Sequence, residues 1–168
     1  MSARKGQIWS IDLIASAMIL SFIIVLSMMT WNGLALRWNS ANDYTRMQTE
    51  VIFATDALMM TPGVPSGWEM MPTLDDSIVS LGIVNARNEI ENEKIQRLVD
   101  ENATSYELIK RKLGLQRHDL GVLVTSLDGS ETFHKFGVFG SASDTTIISK
   151  RIGILNGSKV FVTVEVSE

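Results

Sequence analysis

The chain has 168 residues, a formal net charge of −4 and no cysteine. This length suits one ordinary domain and is too short for two full ones. The missing cysteine excludes a disulfide framework, a thiolate zinc site and a cysteine nucleophile. The acidic balance argues against nucleic acid as a partner, and a hydrophobic fraction of 45% excludes a disordered chain.

A long apolar segment begins near the N-terminus. No charged residue occurs from Leu13 to Trp31, and these nineteen residues would span about 28 Å as an α-helix, close to the hydrocarbon thickness of a bilayer. Trp9 and Trp31 bracket the run, as aromatic side chains do at membrane interfaces. Arg4 and Lys5 precede it, so the positive-inside rule predicts a single-pass protein with a cytoplasmic N-terminus and an extracellular C-terminal part.

A buried core helix and a secretory signal peptide both fit this segment less well than a membrane span does. The core helix of a globular domain is rarely so long and so uniformly apolar. A secretory signal peptide has a shorter apolar region followed by a small-residue cleavage site, and the run Met28-Met29-Thr30-Trp31 does not provide such a site. We therefore expect the segment to stay with the protein.

The helical pattern continues beyond the apolar segment. Between Leu34 and Met60 there is no proline, and apolar residues recur at steps of three and four. The stripe consists of Leu34, Trp38, Ala41, Tyr44, Met47, Val51, Ala54 and Leu58. Together the two parts predict one helix of roughly 48 residues that ends before Pro62, because proline cannot continue a helix.

The middle of the chain predicts a loop and two short helices. Residues 61–82 carry all three prolines and predict an ordered loop that folds over the domain. A polar segment with spaced apolar residues predicts a surface helix from Asn85 to Val99. The capping-box spacing of Thr104 and Glu107 predicts that a second helix begins there, and Gly114 predicts its end.

The last third of the chain changes to a period of two, which predicts strands. The four predicted strands are Leu120–Leu127, Thr132–Phe139, Thr145–Leu155 and Lys159–Val166. Asn156-Gly157 predicts a type I′ turn between the last two. The predicted fold is therefore α+β: a long N-terminal helix, transmembrane in its first half and amphipathic in its second, packed on a small antiparallel sheet with short helices.

The sequence predicts no enzymatic activity, cofactor or metal. His118 and His134 have no metal-ligand spacing, so we interpret both as surface histidines with satisfied polar atoms. Asp75-Asp76 is interpreted as a solvated acidic pair. There is no glycine-rich phosphate loop and no GxSxG motif. Two N-glycosylation triplets begin at Asn102 and Asn156, and both are candidate glycosylation sites, although such triplets also arise by chance.

Asp12 lies at the entry to the apolar segment, where a carboxylate costs free energy in a bilayer. One interpretation is an interfacial charge that the helix dipole favours in the first turn. The other is that Asp12 meets a cation once the helix has left the lipid.

The residues Arg4-Lys5-Gly6-Gln7, then Ser10 and Asp12, then the long apolar helix resemble archaeal type IV pilin-like proteins with a class III signal peptide. In that family a prepilin peptidase removes a short basic leader on the cytoplasmic side. The resemblance implies cleavage between Gly6 and Gln7. Three segments follow: a leader at 1–6, a hydrophobic membrane and filament-core helix at 7–36, and an extracellular α+β domain at 37–168.

The resemblance also implies how the processed chain would assemble. The new amine of Gln7 could pair with Asp12 of the same or a neighbouring subunit. Small residues would let helices approach closely; they are Ala15, Ser16, Ala17 and Ser21.

Two functions from different classes follow from these observations. The first is a structural subunit, major or minor, of a cell-surface filament. Its partners would be a prepilin peptidase, other pilin-like subunits of the same or another kind, and the membrane before assembly. The alternative is a single-span extracellular binding domain whose anchor stays uncleaved. The two differ in whether the mature chain begins at Gln7.

Overall fold

The computed structural model describes residues 4–86, 88–141 and 145–168, with the backbone alone described at 4–10, 35–37 and 39–41. The fold is α+β, as predicted. Helix α1 covers Arg4–Met60, a short 3-10 helix covers Trp68–Met70, α2 covers Asn92–Asp100 and α3 covers Asn102–Lys112. The chain divides into two compact units, one ending at Tyr44 and the other running from Thr45 to Glu168.

Helix α1 is 57 residues long, which confirms the predicted long helix. It begins at Arg4, before the uncharged run that starts at Leu13. Among the stripe residues whose side chains are described, the buried ones lie in the second unit, where Met47, Val51 and Leu58 are at most 2% exposed. The earlier members Leu34 and Trp38 are 59% and 70% exposed, so the stripe does not extend that far. The spacing of apolar residues identifies which face of a helix can be buried, but not the length over which another surface covers that face.

The loop after α1 folds over the second unit, as predicted. Trp68 is fully buried, and its indole Nε1 donates a hydrogen bond to the carbonyl of Gly82 at 3.1 Å. Val64 and Ser80 form an isolated antiparallel bridge that joins the two ends of the loop. Ile78 is also fully buried. The loop therefore closes one side of the core.

The helix predicted from Asn85 to Val99 is wrong in its first half. Strand β1 covers Val84–Ala86 and strand β2 covers Glu89–Ile90, and α2 begins only at Asn92. Asn88 turns the chain between these strands with a φ of 63°. Ile90 is 4% exposed and belongs to the core, so the tertiary contact of this residue overrides the helical pattern.

Helix α3 begins at Asn102, and the predicted capping box at Thr104 is wrong. No side chain caps the helix start, and Ser105 has non-helical angles in the first turn. The predicted end is confirmed. Gly114 has a φ of 84°, and the amides of Gly114 and Leu115 donate to the carbonyls of Arg111 and Lys110 at 3.1 and 3.0 Å. This pattern is a Schellman motif, which requires the left-handed conformation that glycine adopts freely.

Four antiparallel strands form where they were predicted: β3 at Asp119–Ser126, β4 at Thr132–Gly137, β5 at Thr146–Leu155 and β6 at Ser158–Ser167. The complete sheet has six strands in the order β1-β2-β5-β6-β3-β4. The pairing of β2 with β5 is parallel, so the sheet is mixed rather than purely antiparallel. The two short strands were not predicted.

One face of the sheet carries the core. Val160, Val162, Val164 and Val166 are at most 1% exposed, which confirms the predicted alternation in β6. These valines belong to one buried cluster with residues of α1, α2 and α3. The amide of Ile83 also donates to the carbonyl of Leu58 at 2.9 Å. The second half of α1 thus covers the sheet together with the short helices.

The β5–β6 turn gives a first testable prediction. Asn156 and Gly157 have φ values of 52° and 80°, so both residues adopt the positive φ expected of a type I′ turn. We expect Gly157→Val to lower the free energy of unfolding by roughly 1–3 kcal/mol, because a β-branched residue is strained at positive φ. Thermal melts of a fragment from Thr45 to Glu168 measure this. Gly157→Asn is the control, since asparagine tolerates this conformation; an unshifted valine melt would contradict the prediction.

Candidate functional site: the apolar N-terminal helix

The segment of α1 from Ile11 to Leu34, called here the apolar segment, is 24 residues long with a mean hydropathy of 2.4. Its large apolar side chains are 47–75% exposed, and none of the segment is buried within the described chain. At 1.5 Å per residue it extends about 36 Å. By length and composition it can cross a membrane.

The hydroxyl groups of the apolar segment are satisfied within the helix. The hydroxyls of Ser16, Ser21, Ser27 and Thr30 each donate to the carbonyl four residues earlier, all at 2.8 Å. A polar group without a partner in hydrocarbon costs several kcal/mol. These internal hydrogen bonds remove that cost, so the hydroxyls do not oppose burial of the segment in lipid or against other helices.

Small and polar residues of the apolar segment lie on two sides of the helix. At 3.6 residues per turn, Asp12, Ser16, Ser27 and Thr30 fall within about 60° of one another around the helix axis. Ala15 and Gly33 lie at the edge of the same side. Two of the predicted close-approach residues, Ala17 and Ser21, lie on the other side of the helix. The four residues expected to let helices approach therefore do not form a single face.

Asp12 is exposed on α1. Among the residues that the structure describes, no side chain or amide binds its carboxylate, and its backbone carbonyl accepts the Ser16 hydroxyl at 2.8 Å. Gly6 and Gln7 lie within the helical backbone of α1, and their side-chain surroundings lie outside the described part of the chain. The predicted pairing of Asp12 with the Gln7 amine stays a prediction.

His118 is buried, which corrects the prediction of a surface histidine. Its ring Nδ1 lies 2.7 Å from Oε2 of Glu50 on α1, and the two side chains are 6% and 9% exposed. The second carboxylate oxygen of Glu50 lies 2.9 Å from Nε of Arg46. The pair joins α1 to the residue that precedes β3. The sequence offered little signal for this pair, because Glu50 lies beside the apolar stripe rather than within it.

The other candidate polar residues have structural partners. His134 is half-buried with its Nε2 at 3.0 Å from Oδ1 of Asn92, and burial lowers the pKa of its imidazole. Asp75 and Asp76 are exposed, as predicted; Asp75 accepts from the Ser77 amide at 2.8 Å, and Asp76 lies 2.6 Å from the Arg111 guanidinium.

Tyr106 fixes α3 to the start of β3. Its hydroxyl accepts from the Leu120 amide at 2.9 Å and lies 3.1 Å from Oδ1 of Asp119. Burial raises the pKa of Tyr106 to about 12. Within the described ranges no group of three histidine, cysteine or carboxylate side chains could hold a metal ion.

The two glycosylation triplets lie in different surroundings. Asn102 is half-buried at the start of α3, and its Oδ1 accepts a hydrogen bond from the Gly137 amide at 2.8 Å. Asn156 is exposed at the tip of the β5–β6 hairpin.

Comparison of the chain with protein-family models, with curated proteins and with solved structures finds no match.

Proposed function

We propose that this protein is a pilin-like structural subunit of a surface filament. A prepilin peptidase would cleave it between Gly6 and Gln7, and the processed chain would then assemble through its N-terminal helix. The observation that carries the proposal is the apolar segment, whose large side chains are at least 47% exposed. Such a surface needs a cover, and lipid before assembly and the helices of other subunits after it would supply one.

The core of the second unit supports a role of the apolar segment in contacts between subunits. Its core is contributed by residues from Met47 onward, so none of the apolar segment is used to stabilise that unit. Because the apolar segment contributes no described residue to that core, its side chains are available for contacts between copies. Repeated head-to-tail contacts that do not close produce filaments.

The small and hydroxyl-bearing residues of the apolar segment favour the filament over a permanent anchor. Hydroxyls and small side chains let helices pack closely, whereas an isolated anchor in lipid gains nothing from them. Asp12 lies on the same side of the helix as Ser16, Ser27 and Thr30 and has no described partner within the chain. In a filament its carboxylate could meet a cation from a neighbouring subunit.

The experiment that tests the proposal is mass spectrometry of the N-terminus of the native protein. A mature chain that begins at Gln7 supports processing by a prepilin peptidase. A chain that begins at Met1 or Ser2 would replace the proposal with the alternative, a membrane-anchored extracellular binding domain.

A variant at the proposed cleavage site makes the test specific. Gly6→Val places a branched side chain beside the scissile bond, so we expect the precursor to accumulate in the membrane with its leader attached. Ala3→Val is the matched control, because it adds the same side chain to the leader away from the bond. Unchanged cleavage of the Gly6 variant would remove this site assignment.

A further inference from the structure

We propose that Asn156, and not Asn102, carries an N-linked glycan in the native protein. The inference goes beyond the filament function, and it rests on that proposal in one respect, because the second unit must lie on the outer side of the membrane. The two triplets are equivalent as sequence motifs. The structure separates them by what surrounds each asparagine amide.

The surroundings of Asn156 are open. Residues 156–159 are all exposed, and a Cβ added at Gly157 would meet nothing within 4 Å. No described residue forms a hydrogen bond with the Asn156 side chain, so a transferase can reach the amide without displacing a protein partner. Its φ of 52° also turns the chain at the hairpin tip, so the triplet projects from the end of two strands.

The surroundings of Asn102 are occupied. Its side-chain oxygen accepts the Gly137 amide of β4 at 2.8 Å, and the residue is half-buried. The hydroxyl residue of this triplet, Thr104, lies within α3. A transferase would have to unwind the first turn of α3 and break a contact between the helix and the sheet. Asn102 therefore has a structural role that a bulky saccharide would oppose.

The reaction requires a saccharide donor, which is a sugar joined through its anomeric carbon to a lipid phosphate or pyrophosphate. The Nδ2 atom of Asn156 bonds to the anomeric carbon, and the bond from that carbon to the phosphate oxygen breaks. The lipid phosphate leaves with the bonding electron pair, and Nδ2 loses one proton. The hydroxyl of Ser158 completes the triplet that the transferase recognises.

The test uses variants that remove each triplet without changing its asparagine. Ser158→Ala removes the Asn156 triplet and leaves the Asn156-Gly157 turn intact, whereas Ser158→Thr preserves it. Thr104→Ala removes the Asn102 triplet while the bond to Gly137 is retained. Thr104 and Ser158 are both exposed, so neither change should unfold the protein.

Peptide mapping of full-length protein from its native cells reads each site separately. Trypsin cleaves after Lys and Arg, so an unmodified chain yields Asn156 in the peptide Ile152–Lys159 and Asn102 in the peptide Leu98–Lys110. We expect a saccharide mass on the first peptide of the parent and of Ser158→Thr. We expect complete loss in Ser158→Ala and no change in Thr104→Ala.

Two outcomes would overturn the inference: an unmodified Ile152–Lys159 peptide in the parent, or a saccharide on the Leu98–Lys110 peptide, alone or together with one on Ile152–Lys159. The same digest reports the N-terminal peptide. A chain that begins at Gln7 without a glycan contradicts only this inference, and a glycan on a chain that keeps its leader contradicts only the filament proposal.

Discussion

Asp12→Ala should stop filament assembly while leaving membrane insertion and leader removal intact. The substitution keeps the apolar segment and the residues around the cleavage site unchanged. In a filament the helical core is dry, and the Gln7 amine would enter it without the carboxylate that offsets its charge. Removing one partner of a buried ion pair costs about 3–5 kcal/mol. We therefore expect the number of filaments to fall by more than about tenfold.

Electron microscopy of cell-surface filaments, combined with mass spectrometry of the membrane fraction, measures this effect. The expected result is membrane-retained protein that begins at Gln7. Ser16→Ala is the matched control on the same side of the helix, since it removes only a hydroxyl that bonds to the Asp12 carbonyl. Normal assembly of the Asp12 variant would make this residue an interfacial charge near the helix start, with no role in assembly.

Trp68→Ala should destabilise the second unit by about 3–5 kcal/mol, because it leaves a large cavity in the core. The indole is fully buried and donates to the Gly82 carbonyl, so the variant also leaves a buried acceptor without its partner. Domains of this size are stable by only about 5–15 kcal/mol. The variant should therefore lose a large share of its stability.

Circular dichroism melts of the fragment from Thr45 to Glu168 measure this loss, and we expect Tm to fall by roughly 10 °C or more. Met70→Ala is the control, since Met70 belongs to the same 3-10 helix and is 80% exposed. Its melt should stay within a few degrees of the parent. A Tm for Trp68→Ala that also stays within a few degrees of the parent would contradict the prediction that this loop stabilises the core.

Features with a local physical cause could be read from the sequence. The apolar segment follows from an uninterrupted run of uncharged residues, and helix α1 follows from the absence of proline until Pro62. The β5–β6 hairpin follows from Asn156-Gly157, whose positive φ values few other residue pairs adopt so easily. The alternation of valines in β6 identified its buried face. Each of these depends on neighbours within a few residues.

Contacts between distant parts of the chain could not be read in this way. Ile90 pairs with Leu155 across 65 positions of sequence, and this contact converts part of a predicted helix into β2. Glu50 and His118 are separated by 68 positions and become a buried pair only when α1 covers the sheet.

For the candidate sites, too, the local sequence determined some features and the tertiary structure determined others. The sequence by itself determined that an apolar helix of membrane-spanning length precedes an α+β unit, and that Gly6, Gln7 and Asp12 lie at its start. Only the tertiary structure decided where α1 is covered, because burial depends on which surfaces meet in space. It also distinguished Asn102, whose Oδ1 accepts a hydrogen bond from β4, from Asn156, whose side chain lies exposed at a hairpin tip with no hydrogen bond to a described residue. Equivalent motifs differ here because hydrogen-bond partners come from the folded chain and not from the neighbouring residues.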